Sequence, residues 1–100
     1  MLKSDEIHLE EVKTIRRCIL VMLNTAGTVG ANETLIKNFL QSSGFIVLAH
    51  EVRRHLEYLD QLKAVEILDK DRATWVAKIL PYGVDIVEFA VKAPAGIAKE

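Results

Sequence analysis

A single cysteine, Cys18, stands among 100 residues, so no disulfide can close within the chain. Charge of one sign is equally scarce. Thirteen Lys and Arg face fourteen Asp and Glu for a formal net charge of -1, which excludes both a highly basic nucleic-acid coat and an acidic disordered tail. The longest apolar run, Cys18 to Leu23, falls far short of the roughly 18 residues that a membrane-spanning helix needs. Asp5, Glu6, Glu10 and Glu11 interrupt the opening stretch, so nothing there reads as a signal peptide. There is no repeat, low-complexity stretch or interior linker. These absences predict a soluble, cytoplasmic chain with no membrane partner. Its length is enough for one domain, 1-100, and no second.

Hydrophobic period dominates what is present. Ser4, with Asp5 and Glu6 behind it, is placed to cap a first helix running to about Thr25. Val12, Ile15, Ile19, Met22 and Ala26 recur at helical spacing there, and Leu20, Val21 and Leu23 widen the stripe, as in a central or interface helix. Lys13, Arg16 and Arg17 read as a solvated basic flank. After Gly27 and Gly30, Asn32 is a cap for a second helix with Leu35, Ile36, Phe39 and Leu40 on one side, ending near Ser43. Gly44 supplies a turn. A third helix then carries an inward row, Leu48, Val52, Leu56 and Leu59, and an outward row, His50, Arg53, Arg54 and Glu57.

From Ala64 the period becomes two. Val65 and Ile67, then Trp75, Ala77 and Ile79, flank the tetrad Asp69, Lys70, Asp71, Arg72 as the two strands of a β-hairpin. Pro81 and Gly83 close the hairpin. Val84 to Val91 reads as a short last helix, and Pro94 and Gly96 leave a frayed tail over about 93-100. The expected fold is therefore mainly α with a β-hairpin: a three-helix core, a two-stranded wing and a C-terminal helix, which together make a winged helix-turn-helix.

The segment from Val52 to Val65 (V-R-R-H-L-E-Y-L-D-Q-L-K-A-V) resembles the junction between recognition helix and wing of ArsR-like winged-helix regulators, most closely over its first eight residues. That family's pattern runs V-x-R-H-L-x-x-L-x-x-x-G-L-V. Leu80 to Asp85 resembles the L-T-x-x-G-x-D that follows the wing in many such proteins. The whole chain is also similar to small winged-helix proteins encoded in Mu-like prophages. The resemblance implies a DNA-binding transcriptional regulator whose third helix enters the major groove. Three departures stand out. Val47, Leu48, Ala49 and His50 replace the capping and basic residues usual before the recognition helix, Lys63 replaces a glycine, and Cys18 has no partner for metal sensing through paired cysteines.

Arg53 and Arg54 are the candidate base readers, with His50 and Glu57 beside them and Lys70 and Arg72 as wing contacts. Against this, Glu51, Glu57 and Asp60 bring the third helix close to neutral, Asp69 and Asp71 cancel the wing tip, and Glu57 is placed for an ordinary i, i+4 pair with Arg53. His50 and His55 lie about 140 degrees apart on one helix, so they do not aim at one ion, and His55 is expected hydrogen-bonded at the edge of the core. Tyr58 is expected to border the outward face, and Trp75 to pack the wing on the core. No enzyme or cofactor is expected. Ser42 and Ser43 lack a nucleophile elbow, Cys18 sits in an apolar stripe that raises its pKa, and Gly27 to Gly30 lacks a phosphate-loop ending. Surplus apolar surface on the first and last helices predicts a homodimer through Leu20, Leu23, Ile86 and Phe89. The competing class is a winged-helix assembly module that binds protein and not DNA.

Overall fold

The structure, a computed structural model, describes residues 4–100 and packs four helices against a three-stranded antiparallel sheet. In chain order these are α1 (Ser4–Ala26), a 3-10 turn (Gly27–Val29), β1 (Ala31–Asn32), α2 (Glu33–Ser42), α3 (Ala49–Gln61), β2 (Val65–Leu68), β3 (Val76–Ile79) and α4 (Pro81–Val87). The side chain of Ser4, the expected cap, lies outside the described residues. The stripe on α1 is broad because α1 is central: it meets α2, β3 and α4. Ile15, Ile19, Leu20 and Leu23 are all buried there.

Asn32 starts α2 as expected, its side-chain oxygen accepting the Leu35 N–H at 2.8 Å. Only Ile36 and Leu40 reach the core, while Leu35 and Phe39 stay exposed on the flank. Gly44, at φ 96, closes the helix by letting the Phe45 N–H turn back to the Leu40 carbonyl at 3.0 Å. α3 begins after Leu48, whose N–H is held by the Glu51 carboxylate at 2.8 Å. Val52, Leu56 and Leu59 form the buried row. Leu48, expected as its first member, is exposed because it sits outside the helix as the capping residue.

The hairpin follows the alternation, with Val65 opposite Ile79 and Ile67 opposite Ala77. Asp69, at φ 50, makes its turn, and its carboxylate accepts the Asp71 N–H at 3.2 Å. A third strand, β1, pairs Ala31 with Ala77 and Asn32 with Val76. Gly30 permits this: its φ is 74, and a Cβ there would strike the Ala77 carbonyl.

The C-terminal part departs from expectation at the bounds of α4, at Gly83 and in the tail. Pro81 occupies the first turn of α4, where a missing N–H costs nothing, so the helix starts there and not at Val84, and it ends at Val87 and not Val91. Gly83 serves close approach to the Ala64 carbonyl, not a turn. The tail, expected to fray, is docked on α1. Ile97 is buried, the Ala98 N–H donates to the Lys13 carbonyl at 3.1 Å, and Arg17 donates to the Ala98 carbonyl at 3.0 Å. Arg16 likewise donates to the Gly96 carbonyl at 3.2 Å. Arg16 and Arg17 are thus tail anchors, not a solvated flank. Among the described residues no helix is long and apolar enough to cross a membrane.

Candidate nucleic-acid interface

The outer side of α3 is not covered by the rest of the described chain. His50, Arg54, Glu57 and Gln61 are exposed along it, and Arg54 has no hydrogen bond or ion pair with any described residue. One helical turn separates successive members, so they project as a single polar ridge.

Arg53, expected in the same row, is elsewhere. Its Nε and one terminal nitrogen reach the two Glu33 carboxylate oxygens, both at 2.6 Å. That terminal nitrogen also donates to the Ala73 carbonyl at 2.8 Å, and the guanidinium lies 4.5 Å from the centre of the Trp75 ring. Glu33 accepts the Trp75 N–H at 3.0 Å as well. Arg53 therefore braces α3 against the start of α2 and the entry to β3, and its bidentate fork is occupied. The helical angle of Arg53 is outward, but its long side chain bends to a partner twenty positions away. The hydrogen bonds from Arg53 hold the Glu33 carboxyl below the usual carboxylate range. The expected pairing of Arg53 with Glu57 is replaced by the Glu33 pair. Nothing in the spacing pointed to Glu33 as the partner; its place beside the Asn32 cap was the sole hint.

At the hairpin tip Lys70 lies 3.6 Å from Asp60 and Arg72 lies 3.4 Å from Asp69. The Trp75 indole N–H donates to the Lys70 carbonyl at 2.9 Å, which ties the tip to the buried ring. Trp75 packs in the core, as expected. The tip is charged but balanced, and Arg72 is the more exposed of its two cations.

His55 is buried, and its Nδ1 accepts the Arg16 Nε–H at 3.3 Å. Burial first, then the neighbouring Arg16 cation, lowers its pKa to about 4, so the ring is neutral at physiological pH. Tyr58 does not border the outer side. The Arg16 guanidinium lies 3.8 Å from the centre of its ring, and a Cβ on Gly96 would strike its hydroxyl. Cys18 is half-buried in the α1 stripe, and burial pushes its thiol pKa up. No three His, Cys, Asp or Glu side chains among the described residues are grouped to hold a metal ion.

The expected dimer surface is largely internal. Leu20 and Leu23 are fully buried and Ile86 is 1% exposed, and α1 packs on α2, β3 and α4 of the same chain. Phe89 alone remains outside, 67% exposed, with the Arg17 guanidinium 4.6 Å from its ring centre. Comparison with family models, curated proteins and solved structures returned no match to the chain.

Proposed function

We propose that this chain is a winged helix-turn-helix protein that binds duplex DNA as a regulator, with α3 as the reading helix and the β2–β3 hairpin as its wing. The observation that carries the reading is the uncovered polar ridge of α3, where Arg54 is unpaired. Two further features support it. The order of elements places a helix pair, α2 and α3, directly before an antiparallel ribbon, and the ribbon stands beside α3 through the Lys70–Asp60 pair. Arg54 is the base reader in this scheme, with His50 and Glu57 next to it and Arg72 reaching a phosphate from the tip. Arg53 orients the helix through Glu33 and does not touch bases.

Selection of bound duplexes from a random pool tests the reading. An enriched sequence is expected, and Arg54→Ala relaxes it at one position at a cost of about 1 to 3 kcal/mol. Enrichment of a palindrome would further identify a paired, symmetric reader. A salt titration gives the decisive negative: no binding to random duplex at low salt, or binding without a salt slope, ends the DNA reading.

A specific observation favours a second reading, an assembly module. The cations at the tip are matched by carboxylates, while Ile46, 91% exposed, and Leu48, 56% exposed, lie in the turn before α3 where phosphate contacts are wanted. This module is the reading that a failed salt titration leaves standing.

A further inference from the structure

Charge is distributed unevenly over the molecule in a way that net charge conceals. Arg53, Lys70, Arg72 and Lys78 each have a carboxylate within ion-pair distance. Arg16 and Arg54 have none among the described residues, and the two line one cleft of about 180 Å³ between α1 and α3. His8, Val12, Glu51 and His55 complete its lining.

Two of the donors in this cleft, on Arg16 and His55, are held in place. Arg16 spends its Nε–H on His55 Nδ1 and one terminal nitrogen on the Gly96 carbonyl, and it stacks on Tyr58, so its second terminal nitrogen is fixed but unengaged. Because His55 Nδ1 accepts that bond, the ring's one proton sits on Nε2, which makes His55 a donor as well. Every buried side-chain nitrogen and oxygen among the described residues has a partner, so this Nε2–H, which bonds to no described residue, opens to solvent. Glu51, the one acid present, already accepts the Leu48 N–H. Two guanidiniums and two imidazoles thus face a single engaged carboxylate.

We propose that this cleft is a binding site for a phosphoryl oxyanion, held by Arg16, Arg54 and the His55 Nε2–H. Several donors from two helices, not one planar fork, suit the tetrahedral array of phosphoryl oxygens. The shared chemistry belongs equally to a free phosphate monoester and to a backbone phosphodiester. The site is independent of the DNA reading, although Arg54 takes part in both.

Titration of the full chain with inorganic phosphate, followed by NMR of the Arg54 and Arg16 Nε–H and His55 ring signals, tests it without any nucleic acid. A saturable, one-to-one response is expected, with a Kd on the order of 1 mM. Sodium chloride at equal ionic strength should not reproduce it. Arg54→Gln, at an exposed position, weakens it about tenfold, whereas Lys92→Gln, at an exposed position outside the cleft, leaves it unchanged. Dimethyl phosphate distinguishes the sources: saturable binding of it assigns the site to a backbone phosphodiester, and binding of inorganic phosphate alone assigns it to a free monoester. If neither probe saturates, or if Arg54→Gln binds as well as the original chain, the inference is wrong.

Discussion

Lys63, the second residue beyond α3, holds an L side chain on left-handed backbone, at φ 65. The turn demands it: the Lys63 N–H bonds to the Asp60 carbonyl and the Ala64 N–H to the Leu59 carbonyl, both at 3.0 Å, which ends the helix and aims the chain into β2. Glycine adopts this conformation without the steric cost. Lys63→Gly should therefore raise stability by about 1 kcal/mol, read as a higher urea midpoint at constant slope. An unchanged or lower midpoint would show that the lysine is not strained. His55 offers the second residue-scale test. Its pKa falls from 6.5 unfolded to about 4 folded, so between those values the unfolded chain binds a proton that the folded chain refuses. Stability is then fully present above pH 6.5 and declines as pH drops towards 4. Arg16, His8 and Glu51 are the charged or titratable groups that shift it, the first two lowering the pKa and the last raising it. Urea midpoints followed through this window should fall more steeply for the original chain than for His55→Gln, and parallel curves would contradict the assignment.

Elements meet at Glu33, the first residue of α2, which accepts hydrogen bonds from Arg53 on α3 and from the backbone of Trp75 at the entry to β3. Its removal strips partners from two elements together. Glu33→Ala and Arg53→Ala should each lower the urea midpoint, and the double variant should lower it by clearly less than their sum, since either change already breaks the brace. Strict additivity would mean that the pair is incidental. This brace also marks the limit of what the sequence discloses. Helical and alternating periods are local, so α1, α2, α3 and both hairpin strands were legible from residues such as Ile19, Ile36, Val52 and Val65. β1 spans two residues and has no period to read. α4 was misplaced because Pro81 stops one structure and starts another with equal chemistry. For Arg53, the helical angle gave the direction of the Cβ but not the destination of a long side chain, whose partner is brought near only by the tertiary fold. The Arg54 half of the candidate site was legible, because its side chain stays on the exposed side of α3 and pairs with no described carboxylate.

The whole molecule is finished by its tail, which period could not announce and composition misread. Arg17, 6% exposed, sits under the chain end and donates to the carbonyls of Ala98 and Ile86 at 3.0 and 3.4 Å. A guanidinium so enclosed needs those acceptors, because a charged group removed from water without hydrogen bonds is costly. Ile97, 2% exposed, closes the same seam with apolar surface. The tail therefore covers the first half of α1 from within the same chain, at Lys13, Arg16 and Arg17. Ile97→Ala should cost about 2 to 3 kcal/mol, from lost burial and the cavity left behind. Removal of residues 94–100 should cost more, since it also takes the Ala98 acceptor from Arg17. For a domain of this length each kcal/mol lowers Tm by roughly 4 to 8 °C, so thermal unfolding resolves the two variants. A truncated chain that melts with the original would mean the tail merely rests on α1, and Arg17 would then have to find its acceptors in α4 alone.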